Sequence, residues 1–147
     1  MEYHNSINKA LNGEVLLRSC ISELRIFLEQ KHSVFINPSD VMILDSCTMK
    51  KTSFHLIVPA VVFENIYTCK LFVEAFATHW ETKDPDCRVN LFNGARKCFI
   101  DMSVYRSNQN MRLLYSSKER FHHIHDTVFK SSIRNNFVFV SFFSKLF

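Results

Sequence analysis

The sequence predicts a single α+β domain, and three observations lead there. Two stretches carry apolar residues at helical spacing, and between and after them lie short apolar runs of strand length. Fifteen Phe among 147 residues suit a core that includes a sheet, because aromatic side chains fit a pleated, half-buried surface. Only two Gly and three Pro argue against a linker-rich or collagen-like chain. The length suits one buried core, and 47% hydrophobic with 22% charged residues is ordinary for a soluble globular protein.

The first helix is expected over Gly13–Lys31. Leu17, Ile21, Leu24 and Leu28 recur at three- and four-residue steps, while Arg18, Ser22, Arg25 and Glu29 fill the other faces. Asn12 is its candidate N-cap. Asn37-Pro38-Ser39-Asp40 signals a turn, and Val41–Leu44 then reads as a strand. Ser53–Val58 reads as its hairpin partner around Cys47–Lys50, ended by Pro59, which cannot donate to a ladder.

A second helix is expected over Val61–Trp80, with Ile66, Phe72, Val73 and Phe76 facing the core, followed by a charged loop over Glu81–Asp86. Arg96–Val104 alternates like a strand, Tyr105–Asn110 reads as a polar loop and Met111–Tyr115 as another strand. The tail Phe137–Phe147 is almost wholly apolar and aromatic. It reads either as a core strand or as an artefactual or alternatively spliced end, since such a run aggregates when unpaired.

The net charge of +4 is mild support for a polyanionic partner. The excess is concentrated in Arg106, Arg112, Lys118, Arg120, Lys130 and Arg134, against Glu119 and Asp126. Five widely spaced cysteines without a C-x-x-C pair point to a reducing compartment, with neither a zinc site nor a disulfide framework. The N-terminus shows no apolar signal region, and no run of about 20 apolar residues suggests a membrane span.

Four constellations could carry chemistry. Lys51, Ser53 and His55 share one face of a strand, a donor-rich ledge suited to phosphate oxygens; the simpler reading is a polar outer face. Asp101 sits in an apolar run, where a carboxylate needs a cation or a hydrogen-bond donor; metal ligation and a structural bond both satisfy it. Asn108, Asn110, Arg112 and Lys118 follow, with Arg offering bidentate and Lys point-charge contact to phosphate. His122, His123 and His125 read as a polar turn, because only Asp126 stands near to complete a ligand set.

In this order the constellations resemble the PrimPol family of eukaryotic primase–polymerases, within the archaeo-eukaryotic primases. The resemblance is carried by Val41–Thr48, by Lys51-Thr52-Ser53-Phe54-His55-Leu56-Ile57, by Phe99–Tyr105 and by Asn108–Leu113 with Ser116-Ser117-Lys118. It covers roughly Met1–Arg120, and a weaker likeness extends to herpesvirus-type primases.

The resemblance implies an incomplete primase-like catalytic core over 1–120, an RRM-like sheet with packed helices, and a divergent extension over 121–147. It also implies template-directed nucleotidyl transfer supported by two Mn²⁺ or Mg²⁺ ions, in DNA priming and damage tolerance. Asp101 matches the carboxylate of the family's third motif. Glu2, in Met1-Glu2-Tyr3, matches the second carboxylate of an Asp-x-Glu first motif whose Asp would precede Met1. Lys51, Ser53, His55, Asn110, Arg112 and Lys118 match nucleotide-contacting positions, while Gln109 stands where the family usually has Arg. The segment between the second and third motifs is short, and the family's zinc module has no counterpart.

Implied partners are a DNA template and primer, nucleoside triphosphates and a single-strand-binding protein, with no membrane. The implied location is nucleus and mitochondrion. Two other readings stand beside this one: a catalytically inactive nucleotide- or DNA-binding domain, and a mis-predicted gene fragment.

Overall fold

The structure is a computed structural model that describes residues 1–106. Its elements run β1 (Glu2–His4), α1 (Gly13–His32), β2 (Met42–Asp45), β3 (Lys51–Ile57), α2 (Ile66–Lys83), β4 (Arg88–Asn90) and β5 (Arg96–Cys98), with short 3₁₀ turns at Pro38–Asp40, Pro85–Cys87 and Met102–Val104. This is an α+β arrangement. One antiparallel sheet has the order β1-β3-β2, and β4 and β5 form a separate hairpin.

Helix α1 forms where its apolar period places it. Asn12 caps it by accepting from the Glu14 and Val15 amides at 3.0 and 3.3 Å. It ends at Ser33, which takes a left-handed φ of 53° so that its own N–H and that of Val34 reach the carbonyls of Glu29 and Leu28. Leu17, Ile21, Leu24 and Leu28 are all buried, joined by Leu16, Cys20 and Phe27.

Helix α2 begins at Ile66, five residues later than the apolar run starting at Val61 suggests. Asn65 and Thr68 decide the start: Asn65 Oδ1 accepts from the Thr68 amide at 2.9 Å, and Thr68 Oγ1 accepts from the Asn65 amide at 3.3 Å. The helix then continues through Lys83, so the expected loop over Glu81–Asp86 starts only at Asp84. Phe76 and Trp80 are its buried side chains. Trp80 Nε1 donates to Ser19 Oγ at 3.2 Å, and Ser19 in turn donates to Asp84 Oδ2 at 2.8 Å, which bolts the end of α2 to α1.

The expected strand over Arg96–Val104 is corrected by the structure. Only Arg96–Cys98 is strand; Phe99 and Ile100 are buried just beyond its end, and Met102–Val104 is a 3₁₀ turn. Asp101 is the reason, since its Oδ1 accepts from the Ser103 amide at 3.0 Å and closes the turn. The β4–β5 hairpin is not among the expected elements, although Asn93-Gly94 is a strong hairpin signal. Gly94 adopts φ +80°, and its N–H bonds to Leu91 O at 3.0 Å.

Sheet and helices meet at Gly13. A Cβ there would lie 2.5 Å from Thr52 Cγ2 and 3.4 Å from Tyr3 Oη, so the start of α1 rests directly on β1 and β3. Phe99, fully buried, packs against Tyr3 at 5.4 Å and Phe54 at 6.5 Å between ring centroids. Among the described residues no helix is long and apolar enough to cross a membrane. The expected strand Met111–Tyr115, the His122, His123 and His125 turn and the tail Phe137–Phe147 lie outside the described residues.

Candidate functional site

The sheet brings together two segments far apart in sequence. β1 pairs antiparallel with β3 so that Glu2 stands opposite Ser53, Tyr3 opposite Thr52 and His4 opposite Lys51. The pairing runs on to Met1, whose amine donates to Phe54 O at 3.1 Å while Phe54 N–H donates to Met1 O at 2.9 Å. Residues opposite one another project from the same face. Glu2 therefore shares a face with Lys51, Ser53 and His55, and Tyr3 shares the core face with Phe54.

On the polar face Lys51 Nζ and a Glu2 carboxylate oxygen form an ion pair, both side chains being more than a third exposed. Ser53 is buried, and its N–H donates to Cys47 Sγ at 3.3 Å, while its carbonyl accepts from the Ser46 amide at 2.9 Å. His55 is half-buried and stands opposite Leu44 of β2. Asp45 orders the turn beyond β2, accepting from the Cys47 amide at 2.8 Å. The Cys47 thiol is pushed up to about 11 by burial and by its bond with Asp45, so it stays protonated at neutral pH.

Asp101 occupies a different setting, two residues beyond the buried Phe99. Its side chain is only 16% exposed, and Lys97 Nζ lies 3.9 Å from Oδ1. Burial alone would raise its carboxyl. Hydrogen bonds from Ser103, with the charges of Lys97 and the N-terminal ammonium, outweigh burial and hold it below the usual carboxylate value. The N-terminal ammonium is itself lowered by burial, while Asp101 and Glu2 both pull the other way. Both carboxylates thus act on the same partly buried amine.

Asp101 also borders a cleft of about 440 Å³ between α2 and the chain after β5, where Lys70, Lys97 and Arg106 gather with Glu74 and Tyr105. Lys70 is held by Glu74 at 3.6 Å. Burial raises the Tyr105 hydroxyl well above its usual value, so it remains a neutral donor. Lys70 and Lys97 line this cleft, and the sequence reading does not single them out. Lys97 stands only four residues before Asp101 in the chain, whereas Lys70 reaches the cleft through the packing of α2 against the turn that follows β5.

Carboxylate oxygens are the right donor type for Mg²⁺ or Mn²⁺. Glu2 and Asp101 offer two, yet among the described residues no group of three or more His, Cys, Asp or Glu could hold a metal ion. Asn108, Asn110, Arg112 and Lys118 lie outside the described residues.

No protein-family model matches the chain. A protein of Ostreid herpesvirus 1 (isolate France), named Uncharacterized protein ORF49, is 28% identical over 130 residues, which cover 78% of this chain and 11% of the viral protein. A Danio rerio protein named DNA-directed primase/polymerase protein is 25% identical over 150 residues, covering 80% of this chain and 29% of that protein. The chain thus spans less than a third of the length of either relative. The second match supports a distant relationship between this chain and a DNA-directed primase/polymerase.

Proposed function

We propose that this chain is part of the catalytic core of a DNA-directed primase/polymerase, with residues 1–120 contributing to the core and 121–147 a divergent extension. The observation that carries the proposal is the pairing of β1 with β3, which sets Glu2 on the same face as Lys51, Ser53 and His55. An acid is thereby placed beside the donors expected to meet a triphosphate. The distant similarity to the Danio rerio protein supports the same reading.

In this function Glu2 and Asp101 are the carboxylates that the chain offers to Mn²⁺ or Mg²⁺. The bound ion would neutralise triphosphate charge and lower the barrier to attack by the primer hydroxyl. Lys51 would exchange its pairing with Glu2 for a phosphate oxygen. Lys97 and Arg106 line the cleft beside Asp101. Asn110, Arg112 and Lys118 would be further nucleotide contacts. The partners are a primed DNA template, nucleoside triphosphates and a single-strand-binding protein, with work at replication forks in nucleus and mitochondrion.

The test is primer extension with Mn²⁺ on a labelled primer–template. Extension by the parent chain that is lost in Asp101→Ala meets the proposal, and extension unchanged by that substitution overturns the site assignment. A second reading, a catalytically inactive nucleotide- or DNA-binding domain, is favoured by the ion pairing of both carboxylates with lysines. Oligonucleotide binding without extension by the parent chain would select it.

A further inference from the structure

The segment between β1 and α1 holds two asparagines that tie distant parts of the chain together. Asn8 is almost fully buried. Its Nδ2 donates to His4 O at 3.0 Å and to Asn90 O at 3.1 Å, and its Oδ1 accepts from the Asn90 amide at 2.8 Å. Asn5 reaches the other way: its Nδ2 donates to Thr48 O and Met49 O at 3.3 and 3.2 Å, and its Oδ1 accepts from Thr52 Oγ1 at 2.8 Å. Both hairpins, β2–β3 and β4–β5, are therefore tied to the end of β1.

Between those ties lies a hollow of about 590 Å³ lined by His4, Asn5, Ser6, Met49, Lys50 and Phe92. The volume falls in the range of small-ligand pockets. Phe92 is 70% exposed, and its ring lies 4.8 Å from that of His4 between centroids. Among the described residues no carboxylate lines the hollow, and Lys50 is an exposed cation at its edge. The exposed face of Phe92 beside His4 is apolar area that a flat group entering the hollow would cover. Two rings on a rigid backbone beside a lysine, with no acid in the lining, match a flat apolar group attached to a polyanion.

We infer that this hollow binds an unpaired base of single-stranded DNA, stacked on Phe92 and His4, with the adjoining phosphate near Lys50. The inference deepens the proposed function by naming a surface for unpaired template, and it requires no catalysis. Base stacking on an aromatic side chain is tolerant of sequence, and the tethered hairpins mean that little order is lost on binding.

The test is fluorescence anisotropy of the full chain with a labelled oligothymidylate. Phe92→Ala should weaken binding about tenfold. Lys50→Ala should lower the steepness of the salt dependence by roughly 0.7. Phe92→Trp should keep the affinity, and its new indole should be quenched on binding; Trp80 is fully buried and gives a constant background. Because Phe92 is exposed, circular dichroism should show the same fold in each variant.

Absence of oligothymidylate binding by the parent chain would overturn the inference, as would parental affinity in Phe92→Ala. Preference for anionic phosphatidylserine vesicles over the oligonucleotide would overturn it too. Oligothymidylate binding by a parent chain that shows no primer extension would sink the catalytic proposal and leave this one standing, so the two failures give different results.

Discussion

Glu2 and Asp101 are both half-buried carboxylates with a lysine nearby, yet the chain holds them in opposite ways. Glu2 stands on a regular strand, and its side chain meets Lys51 across the sheet face. Asp101 stands where a strand breaks, and its carboxylate is part of the backbone geometry because it caps the Met102–Val104 turn. An acid on a strand can exchange its partner at little structural expense. An acid that closes a turn is positioned more rigidly, but its replacement disturbs both charge and shape.

The largest effect that tests this contrast is at Asp101. Asp101→Ala removes cap and charge together, whereas Asp101→Asn retains an oxygen able to accept from Ser103 and removes only the charge. If Asp101 is a ligand, both should lower primer extension by at least about a hundredfold, since even outer partners of metal ligands are typically worth about 10–100-fold. Thermal melting should separate the two, with the Ala variant alone losing about 1 kcal/mol from the missing cap. Equal stability of the two variants would break the distinction drawn between the carboxylates.

Next in size is Gly13→Ala, which acts on the Glu2 side of the molecule. The new methyl would meet Thr52 Cγ2, and Thr52 is β-branched and held by Asn5, so it has little room to yield. Denaturant melts should show a loss of about 1–3 kcal/mol. Glu2→Gln should be smaller still in stability, under about 1 kcal/mol, because its pair with Lys51 is solvent-exposed. Its primer extension should nonetheless fall if Glu2 holds the ion, and stability and activity measured together would sharpen the comparison.

The smallest effect is in acid. The Asp101 carboxyl is held below its ordinary value of 3.8 in the fold. Its contribution is therefore fully present above the unfolded value and is lost as pH falls through the lower folded value. Below about pH 4 the parent should lose stability faster than Asp101→Asn, which has no such proton to take up. Superimposable acid titrations of the two would remove the electrostatic account of this site.

Much of the fold is legible in residues that act locally. The apolar spacing of α1 and its Asn12 cap are written within one stretch of chain, and the hairpin β2–β3 follows from two apolar runs around a polar turn. Strand alternation alone is enough to put Lys51, Ser53 and His55 on one face. Where pattern and fold part company, a side chain competes with the pattern. Asn65 and Thr68 delay α2 past an apolar run, and Asp101 converts an alternating segment into a turn.

Sequence alone thus determined the helix α1, the central hairpin and the α+β class, because spacing and caps act over a few residues. The tertiary structure alone decided which acid meets which base. Met1 and Phe54 pair across 53 positions, and Asn8 reaches Asn90 across 82. A ladder register or a buried amide bond over such separations has no local signature. It arises because buried polar groups must find partners wherever packing brings them. Packing over such separations also put Glu2 beside Lys51, brought Lys70 to the cleft at Asp101, and set Phe92 next to His4.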